Sequence, residues 1–177
     1  KPCARRDDHT REPELSGQRV KYITSVSVRL AFRISNMSIQ FILLPLFVEV
    51  ALTFALMFWM ASARVGTIKR KETRMADTAL GQLNWPPRVQ QISNSYHSQF
   101  QLPLLFYVLT ILAIITRHAD FIFVVMAWAF VLTRLVHAYI HTGTNYVPHR
   151  FNAFALGAFI LLAMWIIFAV RILLGLS

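Results

Sequence analysis

From Phe151 to Val170 the chain runs through "FNAFALGAFILLAMWIIFAV" without one charged side chain. A helix crosses the hydrocarbon core of a bilayer with roughly 20 mostly apolar residues, and this segment meets that length. Three others approach it. Ile39 to Ala63 carries a single charge, Glu49. Val89 to Thr116 is polar in its first half and apolar in its second, and Phe121 to His141 has the reverse order. In a bilayer every backbone polar group must be satisfied within the protein, so apolar runs of this length read as helices. The pattern predicts an all-α protein, a transmembrane four-helix bundle, with helices over about 39–63, 87–116, 119–141 and 150–174. Composition agrees: 56% of residues are hydrophobic and 15% charged, against about 45–50% and 25% in soluble domains. No Gly-rich phosphate loop, internal repeat or low-complexity tract is visible.

A net charge of +10 in a soluble protein would suggest nucleic acid. In a chain of this composition it fits the positive-inside rule instead, so the expected partner is the lipid bilayer and no nucleic acid. Residues 62–88 hold six Lys/Arg against two acids. That loop is expected in the cytoplasm, which puts the C-terminus outside. The first 36 residues hold eight Lys/Arg and four acids and show no sustained apolar period. The chain begins with lysine, and Met37 stands just before the first span. Residues 1–36 therefore read as a disordered basic arm, translated upstream sequence or a mis-assigned start, and 37–177 as the four-helix membrane domain. No apolar stretch with a small-residue cleavage site precedes Met37, so a signal peptide is not expected. The single cysteine, Cys3, lies in that arm, which leaves the membrane domain without a disulfide or a cysteine nucleophile.

The second span opens with "VQQISNSYHSQFQLP" (89–103) and turns apolar after Pro103. The third ends in "RLVHAYIHTGTNYVPHR" (134–150). Arg134, His137 and His141 stand at i, i+3 and i+7, one helical face. Antiparallel neighbours with reversed patterns bring their polar halves side by side, and Arg150 opens the fourth span at the same end. The expected result is a polar pocket in one half of the bundle, lined by Asn94, His97, Gln101, Arg134, His137, His141 and Arg150. Such a set of donors and cations suits an anionic ligand, with lipid alongside for an apolar one. Blander readings exist. Arg134 and Arg150 are equally placed for snorkelling anchors at the interface, and the amides and hydroxyls of the second span for helix–helix hydrogen bonds. Glu49, alone in the first span, is expected to pair with a group of the second or third. No metal is expected, since "HAYIH" lacks the Glu of HExxH and shows no third ligand.

With these residues in place, the segment from Met37 to about Leu174 resembles the MAPEG family, membrane-associated proteins in eicosanoid and glutathione metabolism, and looks like a bacterial-type member. The shared plan is four helices, a long cytoplasmic first loop (here with "DTALG", 77–81) and a polar second helix. In prostaglandin E synthase-like members an arginine is followed by His at +3, Tyr at +7 and a second Arg at +16. Here these fall on Arg134, His137, His141 (His in place of Tyr) and Arg150. The resemblance implies that Arg150 is the catalytic arginine near the sulfur of glutathione, with Arg134 and its neighbours holding the tripeptide. In the second helix catalytic members carry Arg, Asn and Glu at set spacings before a Pro. Arg88 and Asn94 are the candidates here, at a different spacing, and Phe100 and Gln101 stand where the glutamate is expected.

The resemblance thus implies a membrane-embedded glutathione-dependent transferase or peroxidase acting on lipophilic electrophiles. The alternative within the family is a non-catalytic lipid-binding or scaffold protein. A polar second span needs cover from lipid, which predicts a homo-oligomer, and the resemblance implies a trimer with sites between subunits. The expected location is a multi-pass position in a bacterial inner membrane.

Overall fold

The structure, a computed structural model, describes residues 38–78 and 84–175, all within the unit Ser38–Ser177. The expectation for residues 1–36 falls outside the described residues, as do residues 79–81 of the "DTALG" loop. Five helices follow in order: α1 (Ile39–Lys69), α2 (Pro87–His97), α3 (Leu102–Ile115), α4 (Phe121–Thr142) and α5 (Val147–Leu174). Short 3-10 turns lie at Met75–Thr78 and Ser98–Phe100. No strand occurs among the described residues. The second turn joins α2 to α3 as one span, Pro87–Ile115, so four helical segments are long and apolar enough to cross a membrane.

Two boundaries differ from the sequence pattern, each for a local reason. α1 continues past Ala63 to Lys69 because nothing in "RVGTIK" breaks it. Thr67 returns its hydroxyl to the Arg64 carbonyl at 2.8 Å, and the helix ends where Lys71 turns to φ 60°. At about 1.5 Å per residue, 31 residues rise about 46 Å, beyond a core of about 30 Å. Just past its end, Arg70 donates to both oxygens of Glu72, at 2.7 and 3.2 Å, and those hydrogen bonds hold the Glu72 carboxyl below its ordinary pKa. α5 starts at Val147 rather than 150, with Pro148 in its first turn, where proline's fixed φ and missing N–H cost nothing.

The second span breaks at Ser98–Phe100, and Gln101 leaves the helical region with ψ −95°. Pro103 explains the position: it has no N–H to give, and its ring crowds the carbonyl four residues back, at Gln99.

α4 is the centre of the bundle. Half of its most apolar window is buried, against 22% for α1 and 17% for α5. It turns one stripe inward, Phe123, Ala127, Phe130, Arg134, His137 and His141, spaced alternately by four and three. Its closest partner is α5, and Gly157 permits the approach: a Cβ there would meet Thr133 Oγ1 at 2.7 Å. Phe106 and Phe130 pack ring against ring at 4.8 Å, and Leu109, Ala113, Ala127 and Val131 on the same two helices are fully buried. Asp120 caps α4 by accepting from the Phe123 N–H at 2.9 Å and pairs with Arg171 at 2.8 Å, which ties the start of α4 to the end of α5. The exposed side chains include Phe41, Phe58, Ile111, Ile122, Phe159 and Leu173. Hydrocarbon on the outside of long apolar helices is the surface of an integral, multi-pass membrane protein.

Candidate functional site

A cavity of about 400 Å³ lies where α2, α4 and α5 meet, at the end of the bundle that carries the loops after α1 and α4. Small-molecule sites generally run from roughly 300 to 1,000 Å³. Its polar wall is Asn94, His97, Ser98 and Gln101 from the second span, His137 and His141 from α4, and Arg150 from α5. Val147, Phe151 and Phe154 make an apolar edge. The cavity is open, and Asn94, His97 and Gln101 are exposed in the single chain.

Each polar group is placed by its own element. Asn94 accepts at Oδ1 from Gln90 Nε2 at 2.7 Å, which leaves its NH₂ as the free end. His137 Nδ1 donates to the Arg150 carbonyl at 3.1 Å; a carbonyl only accepts, so Nδ1 carries the hydrogen and Nε2 is the atom left for a ligand. His137 and His141 stack edge to face, 5.6 Å between ring centres, and Phe154 lies 5.7 Å from His137. Arg150 sits in the first turn of α5, where the helix dipole adds positive potential. Its Nη1 donates to Asn145 Oδ1 at 2.6 Å. Asn145 stands at φ 52°, a left-handed position that asparagine tolerates. Among the described residues no carboxylate lines the cavity or pairs with Arg150. No cluster of three or more His, Cys, Asp or Glu that could hold a metal occurs among them either.

Of the eight residues singled out in the sequence, the structure brings six together on this wall: Asn94, His97, Gln101, His137, His141 and Arg150. Arg134 lies behind it. Its side chain is fully buried, not snorkelling, 3.8 Å from Glu49, which meets the expectation that Glu49 pairs with a neighbouring span. Arg134 Nη2 donates to Ser98 O and Oγ, at 3.1 and 3.2 Å. Arg88 stands apart from the cavity. It donates to the Thr142 carbonyl, and its guanidinium lies 5.7 Å from the Trp59 ring. With Gln91, which donates to the carbonyls of His141 at 2.7 Å and Gly143 at 3.0 Å, it fastens the start of α2 to the end of α4.

Four lining residues escaped the sequence reading. Val147, Phe151 and Phe154 looked like any other apolar positions, and no pattern separates a cavity edge from a lipid face. Ser98 had a usable signal, Pro103 five residues on, which marks a break whose freed carbonyls need donors.

No curated protein and no solved structure shows a significant match to this chain. The sequence profile of the MAPEG family matches residues 42–170, from the first span to the end of the fourth; with most of its length covered, the chain belongs to the MAPEG family.

Proposed function

We propose that this protein is a glutathione-dependent transferase or peroxidase that acts on lipophilic electrophiles within the membrane, as a bacterial-type member of its family. The observation that carries the reading is the composition of the cavity wall: amide, imidazole and guanidinium donors on one side, Val147, Phe151 and Phe154 on the other. An anionic tripeptide and an apolar partner can share such a space. Bound glutathione would supply the nucleophilic thiol, which the membrane domain's own sequence lacks.

The chain's residues divide the work. Arg150 adds side-chain charge to the positive end of α5, and a cation beside a thiol favours the thiolate over its free pKa of about 8.5. The free amide ends of Asn94 and Gln101, with His97, His137 and His141, hold carboxylates and peptide carbonyls. Arg134 supports that wall from behind, and Arg88 fixes the entry of α2. A lipophilic substrate enters over Phe151 and Phe154. The positive-inside rule sets residues 62–88 in the cytoplasm and the C-terminus outside, in a bacterial inner membrane, so the cavity opens inward. The assembly is a homo-oligomer, because Asn94, His97 and Gln101 are exposed on one chain and polar groups left uncovered at membrane depth are costly; the family resemblance makes it a trimer.

A second reading, a lipid-binding or scaffold protein without turnover, has one observation in its favour. No carboxylate on the wall meets the ammonium of glutathione, for Gln101 only hydrogen-bonds it. The assay is conjugation of glutathione to an aryl halide by the purified protein in nanodiscs. Turnover that falls by about 10²–10³-fold in Arg150→Ala, with the oligomer intact, supports the enzyme. Absence of a calorimetric signal with glutathione, together with binding of fatty acids, supports the scaffold.

A further inference from the structure

Glu49 and Arg134 are fully buried on both sides of a 3.8 Å ion pair. Charges inside a membrane bundle are costly and mark a task. Packing does not call for them, since Phe130, one turn earlier on the same stripe of α4, fills the equivalent place with hydrocarbon. Neither residue lines the cavity. What Arg134 touches on its other side is the break in the second span. Its Nη2 donates to Ser98 O and Oγ, and Ser98 Oγ in turn donates to the Ser95 carbonyl at 2.7 Å. The Ser98 carbonyl has only a long backbone bond, 3.4 Å from the Gln101 N–H. A helix broken at membrane depth must find donors for such carbonyls in neighbouring elements, and Arg134 is that donor.

We propose that Glu49 and Arg134 are positioning residues: Glu49 on α1 holds the Arg134 guanidinium against Ser98, and this fixes the 3-10 turn that presents His97, Ser98 and Gln101 to the cavity. The pair touches no ligand. It acts across three spans, from α1 through α4 to the wall contributed by α2. Its effect on binding rests on the function proposed above, but its effect on the turn does not.

The test uses the full chain with Cys3→Ser, a nitroxide label at Gln101→Cys, and a control label at Ile115→Cys, at the far end of the bundle. The paired replacement Glu49→Leu with Arg134→Met removes both charges at once, which cores commonly tolerate. The expected result is an altered spectrum at position 101, an unaltered one at 115 and a retained unfolding midpoint. In the glutathione assay kcat/KM falls by about 10²-fold, the order of loss that a 1 Å misplacement brings, and the loss comes from a raised KM rather than a lowered kcat. Ser98→Ala, which keeps the main-chain acceptor, gives a smaller change of the same kind. If the paired replacement fails to fold, Arg134→Lys serves: it keeps the charge but replaces the planar guanidinium, whose Nη2 reaches both oxygens of Ser98, with a compact ammonium on a differently shaped stem, and its spectrum at 101 should shift likewise. An unchanged spectrum at 101 in a folded variant overturns the proposal, even where the wild type proves active. A shifted spectrum with a wild type that neither binds nor turns over glutathione leaves the positioning intact and removes the proposed function.

Discussion

The inward stripe of α4 is continuous, yet its two halves are held by different physics. At Phe123, Ala127 and Phe130 its buried positions carry hydrocarbon, as do Phe106, Leu109 and Ala113 on α3, and Phe106 packs on Phe130. Lipid tails are as apolar as these side chains, so the hydrophobic effect adds little between spans; close contact and dispersion carry this half. At Arg134, His137 and His141 the stripe meets an ion pair, a broken helix and a cavity. Several buried polar atoms there make no hydrogen bond: both carboxylate oxygens of Glu49, both amide atoms of Gln99, Ser95 Oγ, Arg134 Nη1 and His141 Nδ1. A bundle selected for stability alone would pair or replace such groups. One half of the molecule keeps the helices together, and the other uses that rigidity to hold groups in an arrangement that packing would not choose.

If so, substitutions in the two halves should separate stability from function. The largest loss of stability is expected at Phe130→Ala, about 3–5 kcal/mol from lost contacts and the void left behind, read as a fall in the midpoint of unfolding in detergent. The KM for glutathione should stay put, and a shifted KM would show that the halves are coupled. Arg150→Ala is the mirror case. Turnover should fall by 10²–10³-fold, about 2.7–4 kcal/mol, the scale of losing one charge-stabilising donor at a reacting atom, while stability changes by only about 1 kcal/mol for its bond to Asn145. Gly157→Ala sharpens the boundary between the halves. Its new methyl would collide with Thr133 Oγ1 at 2.7 Å, and overpacking of this kind costs about 1–3 kcal/mol. Thr133→Ala in the same chain should restore most of that loss, because the remaining neighbours, Thr133 Cβ at 3.6 Å and Phe130 Cε2 at 3.9 Å, lie at ordinary contact distance. Additive losses in the double variant would mean that α4 and α5 do not meet as described.

The sequence showed the apolar half and the polar half for the same reason: each writes a period. Four charge-poor runs define four spans, and Arg134, His137 and His141 at helical spacing on α4 define the wall that faces α2 and α5. Reversed polarity in consecutive antiparallel spans even told which ends meet. Depth within the wall was not legible. Arg134 and His137 are three residues apart on one stripe, yet one is sealed behind Ser98 and the other faces the cavity, because the break at Ser98–Phe100 moves α2 across Arg134. That displacement depends on Pro103 and on a contact between residues 36 positions apart in the chain. Arg88 lies outside the cavity wall for a related reason: the carbonyl it serves, Thr142 O, belongs to the end of α4, and no local pattern in α2 announces it. The α1 boundary was missed because charge, taken as the end of the span, does not end a helix.

The smallest expected effect tests whether a polar contact at the hydrocarbon end behaves as structure alone. Asp120 caps α4 through the Phe123 N–H and pairs with Arg171. Both side chains are about a third exposed or less, 32% and 27%. Losing the cap costs about 1 kcal/mol, and a partly exposed ion pair adds about 0–1 kcal/mol, less in high salt. Asp120→Ala should therefore lower the unfolding midpoint slightly. Asp120→Asn, which keeps the accepting oxygen, should lower it less, and Arg171→Met should lose only the salt-sensitive part. None should alter ligand affinity. A change in KM from any of the three would mean that strain at the start of α4 reaches His137, five turns on, and the stripe would have to be treated as one mechanical element rather than two.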